Sequence, residues 1–354
     1  MTDAKAAQVR AAFARQAAWC ADLGSPFTAL LCETLGHRLD RGSAVGRHLL
    51  DWDGDPGGWA DGVPLRLCGG LHALVRRGAA LASCYPPQPL PEEGALWAAL
   101  QATFTEEGPF LSRWLESPPQ TNEVGRAAAL MSGLLVVAAE FGKPVRLFEL
   151  GTSAGLNLVL DRYAYDLGGT EAGDPASPLC LRPAWEGSPP PAARVHVVGR
   201  GGVDLSPVDP IADRERLIAF IWPDQPRRLG QLETALGLAA QDRPMIDRGD
   251  AGDWLEDKLT IAPEPEVARV VLHSVAYQYF PVETQRWIEA RIAKAGAEAT
   301  RQAPLAWLRF EKEAGDRQTM LRLRLYPGGE DRLLAECHPH GAAIHWLDEP
   351  APAR

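Results

Sequence analysis

The chain lacks any close-set arrangement of cysteines. Its six, Cys20, Cys32, Cys68, Cys84, Cys180 and Cys337, stand far apart with no CxxC among them. That excludes a disulfide scaffold and reads as reduced, mostly buried thiols. Long apolar runs are missing as well. The longest, Ala127–Ala139, has 13 residues, whereas a membrane-spanning helix needs ~20, so a buried core helix is expected and no membrane partner. The N-terminal stretch MTDAKAAQVRAAFARQ is an amphipathic helix pattern without the apolar core of a signal peptide, and the expected location is cytoplasmic. Positive charge is scarce, with 36 basic against 46 acidic side chains and a net charge of −10. An extended nucleic acid is therefore not the expected partner, because a phosphate footprint needs a clustered basic face. A local basic pocket stays compatible with that balance.

What is present is globular in composition, 46% hydrophobic and 23% charged. The length suggests about two domains. Residues 1–125 carry helix patterns: Ala6–Leu23, a helix from Ser25-Pro26 to about Leu39, Leu65–Arg77 and Glu92–Glu116. Asp51–Gly62 is a loop rich in Asp, Gly and Pro. The apolar helix Val124–Phe141 follows, with Thr121 or Asn122 as its expected cap.

From Val145 onward the texture changes. Strands are expected at Val145–Leu150, Val195–Gly199, Val267–His273, Leu305–Phe310, Met320–Tyr326, Arg332–Cys337 and Ala342–Leu347. Helices are expected at Leu156–Tyr163, Arg214–Phe220, Gln225–Ala240 and Val282–Ala295. The fold class is thus α/β: a helical N-terminal region, then a doubly wound sheet over 126–354 whose last four strands, joined by short turns, are antiparallel.

The most informative segment is VRLFELGTSAGLNLVLDRYAYD. A strand ends near Glu149, and the small residues Gly151, Thr152, Ser153, Ala154 and Gly155 follow. Small residues allow close approach of a ligand, at the strand end where open α/β sheets bind ligands. The alternative is an ordinary tight turn. The spacing departs from G-x-G-x-x-G, and a phosphate-binding P-loop would need a lysine that Leu156-Asn157 does not supply. GVDLSP, with Asp204, follows the strand Val195–Gly199, and its own residues read as an N-cap or an Asx turn helped by Ser206-Pro207. In DRGDAGDWL, Asp250 caps a short helix or meets a ligand.

Glu149 followed by Gly151, Ser153 and Gly155 resembles motif I of class I S-adenosylmethionine-dependent methyltransferases. Asp204 then matches the ribose-binding acid of that Rossmann-like fold, and Asp250 with Ala251 the adenine contact. At the end of the fourth strand, HSVAYQYF offers His273 and Tyr277 opposite the transferring methyl. The same resemblance implies S-adenosylmethionine as cofactor and a small-molecule acceptor. Asn122 could line that pocket, and the helical region could act as a lid that selects the acceptor. Together with PQTNEVGRAAALMSGL, WPDQPRRL and APLAWLRFE, these segments are similar to bacterial domain-of-unknown-function family 2332 over nearly the whole chain. Two departures stand out. A proline-rich insertion, Gly168–Ala193, with a strand expected at Pro178–Leu181, separates Gly155 from Asp204. The segment Glu311–Thr319 is too short and polar for a further helix.

Three other readings carry less. A nucleoside-binding module without transfer chemistry fits the same residues. GTSAG also matches the G-x-S-x-G elbow of a serine hydrolase, with Ser153 as nucleophile, Asp250 as acid and His273 or His345 as base. A metal at Cys337, His338, His340 and His345 is disfavoured, because alternating strand positions face opposite sides.

Overall fold

The computed structural model describes residues 2–313 and 318–347. The chain divides into two compact units, Met1–Thr121 with Asp213–Gly230, and Asn122–Ala212 with Gln231–Arg354.

The first unit is helical. It begins with α1 (Thr2–Asp22), α2 (Pro26–Arg38), α3 (Ala44–Leu50), α4 (Val63–Arg76), α5 (Glu93–Glu106) and α6 (Gly108–Leu115). Phe13, Leu31, Leu35, Leu67, Leu71, Leu100 and Leu111 meet in its core. One long helix was expected over Glu92–Glu116, and two form. Pro109 lacks an N–H and its ring crowds the preceding turn, so the first helix stops and a second starts around it. Ser25 does precede α2, but its side chain makes no cap. Asp224 caps that helix instead, accepting the Phe27 N–H at 2.8 Å and the Ser25 hydroxyl at 2.5 Å. Asp224 is remote in sequence, so no local pattern announces it.

The second unit opens with α7 (Arg126–Phe141), closed by Gly142 in the left-handed conformation. β1 (Val145–Leu150) follows. The helix expected at Leu156–Tyr163 is absent, replaced by turns and a 3-10 turn at Leu160–Arg162. Leu156, Leu158, Val159 and Leu160 are all buried. An amphipathic helix would expose one face, so the segment crosses the interior as i→i+3 turns, Leu158 N–H to Gly155 and Leu160 N–H to Asn157. Next come β2 (Ala164–Leu167), β3 (Thr170–Gly173) and β4 (Cys180–Leu181), a small sheet of order β3-β2-β4, mostly within the expected insertion. The chain continues through β5 (Ala184–Glu186), β6 (Val197–Asp204), α8 (Arg214–Ala219, in the helical unit), α9 (Pro226–Gln241), β7 (Ile246–Arg248), α10 (Ala251–Thr260), β8 (Ala268–Ser274), α11 (Val282–Ala297), β9 (Leu305–Lys312), β10 (Thr319–Tyr326), β11 (Asp331–Cys337) and β12 (Ala343–Trp346). Within the segment Glu311–Thr319, residues 314–317 lie outside the described residues.

The large sheet has nine strands in the order β5-β12-β11-β10-β9-β8-β1-β6-β7. From β7 to β9 all neighbours are parallel. β9 through β12 are antiparallel, as the short turns require, and β5 adds parallel to β12. β1 and β8 are buried almost throughout, as strands covered on both faces must be. α7 packs against β9 and β10. On the α10–α11 side, Phe148, Val203, Trp254, Val271, Ile288, Ile292 and Trp307 form a core. β1 pairs with β6 on one side and β8 on the other, so the direction of strand succession reverses at β1. Its carboxyl end is the crevice where such sheets receive ligands. No helix among the described residues is long and apolar enough to cross a membrane.

Candidate functional site

β1 delivers Glu149 to the crevice, but the side chain turns inward and is 1% exposed. Thr152 donates its hydroxyl to one carboxylate oxygen, and the Asn157 amide donates to the other at 2.9 Å. Burial pushes this carboxyl up to about 7; the two bonds oppose that and the charge of Asp204 adds to it. Glu149 is therefore a brace for the loop, with no oxygen facing outward.

The loop itself is held from several directions. Gly151, Ser153 and Gly155 have φ of +68°, +53° and +72°. Only glycine takes this conformation without cost. A Cβ at Gly151 would lie 2.5 Å from that of Ala276, and one at Gly155 2.6 Å from Pro244 Cγ. Both glycines thus face the protein's own side chains, which leave no room for a Cβ. Asn122 is 8% exposed and clasps the loop. Its Oδ1 accepts the Leu156 N–H at 3.0 Å and its amide donates to the Thr152 carbonyl at 3.3 Å. It caps no helix: α7 starts four residues later, with Gly125 at its N-cap and no side-chain cap.

Asp204 stands at the end of β6. One oxygen accepts the Ser153 N–H at 2.9 Å and the other the Ser206 N–H at 2.8 Å. Gly249 N–H reaches the Asp204 carbonyl at 3.1 Å, which brings the turn after β7 alongside. Asp250 then caps α10, its Oδ1 accepting from Gly252 at 2.7 Å and Asp253 at 3.2 Å. Ala251 is buried in the core beneath. Ser153, Asp204 and Asp250 therefore share one rim. An ionised carboxylate offers about four lone-pair sites. Asp204 is partly exposed and keeps capacity for a diol after its two backbone bonds. The residues fit a nucleoside at Asp204 and Asp250, but no helix follows the glycine loop to present free N–H groups.

At the end of β8 the outcome differs. His273 is 0% exposed. Its Nε2 accepts the Trp307 indole N–H at 3.1 Å, so Nδ1 carries the proton and donates to Glu311 at 2.7 Å. Tyr277 stacks on the imidazole at 4.8 Å, and its hydroxyl donates to the Gln285 carbonyl at 2.7 Å. Burial raises the Tyr277 pKa above its ordinary value. The polar atoms of both side chains are thus bonded within the protein. Glu311 also accepts the Ala276 and Tyr277 N–H groups at 3.0 and 3.1 Å. It thereby holds a turn in which Val275 has φ +50°, a costly conformation for a β-branched residue. His273 is unavailable to Ser153, Asp250 is engaged as a cap, and His345 lies beside Glu336 at 3.8 Å. The hydrolase triad is not assembled.

Thr152, Asn157, Trp307 and Glu311 were missed in the sequence. Asn157 left one trace, being the single polar residue in the run LNLVL. Glu311 left another, since it shares a strand face with Arg309, the register partner of His273.

A family model described as "Uncharacterized protein conserved in bacteria (DUF2332)" matches residues 10–346. No curated protein matches the chain. A solved structure described as "DhpI-SAM-HEP complex" is 12% identical, aligned over 74% of this chain and 79% of its own, with a TM-score of 0.22. That likeness is too slight to carry an argument.

Proposed function

The chain belongs to the bacterial family DUF2332, and we propose that its sheet unit binds S-adenosylmethionine at the rim of β1, β6 and β7 and passes the methyl group to a small-molecule acceptor. The observation that carries this is the meeting of Ser153, Asp204 and the Gly249-Asp250 turn at the point where strand order reverses. Bound there, the cofactor supplies a methyl carbon already activated by a sulfonium. Asp204 accepts the ribose hydroxyls, and Asp250 lies at the adenine end. Glu149, Asn122, Thr152 and Asn157 keep the loop in its left-handed turns without touching the ligand. The chain's remaining task is alignment of the acceptor, and the net charge of −10 favours a small acceptor over nucleic acid.

A second reading, nucleoside binding without transfer, is favoured by one observation: His273 and Tyr277 are both bonded internally. Melting the protein with and without S-adenosylmethionine or S-adenosylhomocysteine at ~1 mM tests the shared claim. Both ligands should raise Tm, and Asp204→Asn should remove the rise. No rise with either ligand overturns both readings. A rise without turnover over a set of small acceptors favours the second.

A further inference from the structure

The antiparallel half of the sheet carries a cluster outside the nucleoside rim. Arg309 on β9 stands directly opposite Arg322 on β10, and Arg324 stands opposite Trp307 and Asp331. All three guanidinium groups converge on Asp331: Arg309 in direct contact, Arg322 at 3.7 Å and Arg324 at 3.9 Å. Arg322 also pairs with Glu313. Like charges facing each other across strands destabilise a sheet. Here three cations meet two carboxylates. The Nε–H groups of Arg309 and Arg324 are buried without an acceptor. Arg309 lies over the Trp307 ring at 4.4 Å and Arg324 at 5.9 Å. Burial lowers the pKa of Arg309; Asp331 opposes that, while Arg324 and Arg322 add to it. The side chains of Arg309, Arg322 and Arg324 are nonetheless 18%, 28% and 32% exposed, so their remaining donors are reachable.

We propose that Arg309, Arg322 and Arg324 form a binding site for a small oxyanion, the phosphate or carboxylate group of a small molecule, with Asp331 as the internal group that tempers its charge. Guanidinium donors arranged in forks match the oxygens of such anions and are only partly used by Asp331 and Glu313. The site does not depend on the nucleoside reading.

Isothermal titration of the whole protein with inorganic phosphate and with citrate, at low and matched ionic strength against chloride, tests the site and separates the two anion sources. Saturable binding of phosphate, citrate or both is expected. Arg322→Lys, which keeps the charge but loses the fork, should weaken it. Asp331→Asn should tighten it about fivefold, because one opposing charge ~4 Å away is removed. Phosphate or citrate should also restore any Tm lost in Asp331→Asn. No saturable heat with either anion would overturn the site. So would binding that Arg322→Lys leaves unchanged, or an Asp331→Asn protein that binds no tighter and whose lost Tm neither anion restores.

Discussion

Two strand ends at the same edge of the sheet carry polar side chains, and they behave differently. At β6, Asp204 takes two backbone N–H groups from neighbouring turns and stays partly exposed. At β8, His273 is fully buried, with one nitrogen on Trp307 and the other on Glu311. The first arrangement fixes a rim and leaves acceptor capacity at its surface. The second closes upon itself and holds the strained Val275 turn. A polar residue at a strand end therefore marks a place where chemistry is possible, and its partners decide whether it faces a ligand.

His273→Ala should have the largest effect in breaking that contrast. It opens a buried cavity and leaves the Trp307 N–H and part of Glu311 without partners. A loss of about 3–5 kcal/mol in urea unfolding is expected, with nucleoside affinity retained in whatever fraction folds. Unchanged stability with lost methyl transfer would instead make the β8 end the reactive one.

Glu149 offers a pH test on the rim side. Its carboxyl is raised in the folded chain from the ordinary 4.5 to about 7. The folded state holds that proton more tightly, so the stability it contributes is present below pH 4.5 and is lost as pH rises through 7. The loss is on the order of 3 kcal/mol. Glu149→Gln should flatten this slope, read as the difference in unfolding free energy between the two proteins at each pH. Equal slopes would show that the carboxyl is not buried as described.

Asn122→Ala should cost about 2 kcal/mol, since two buried bonds to the loop are lost. Nucleoside affinity should fall no more than the folded fraction does. A specific loss of affinity would move Asn122 from the brace into the pocket. The smallest effect on stability is expected for Asp204→Asn, about 1 kcal/mol, together with an affinity loss of about tenfold or more in calorimetric titration. Intact affinity would make the β6 end as closed as the β8 end.

The fold was legible where period and punctuation agreed. The strands β1, β6, β8 and β9 to β12 and the helices α9 and α11 follow from apolar runs between turn residues, whereas the short strands β2, β3, β5 and β7 carry no such run. The antiparallel end follows from connections too short for a crossover. The segment after Gly155 was misread because LNLVL suits a buried helix and a buried turn equally, and only its surroundings choose between them. The rim acids Asp204 and Asp250 were legible as strand-end and cap residues. The brace of Glu149 by Thr152 and Asn157 was not, because it depends on which way a side chain turns at the end of β1.

By itself, then, the sequence determined the α/β class, the main strands and several of the helices, the family, and the candidates at the strand ends, since these rest on local periodicity and residue chemistry. The tertiary structure alone decided which candidates face outward. Burial and hydrogen-bond partners come from residues far apart in the chain, as Glu311 does for His273 and Asp331 for Arg309. A carboxylate, imidazole or guanidinium has the same intrinsic chemistry wherever it stands, and only packing determines whether another part of the chain already satisfies it.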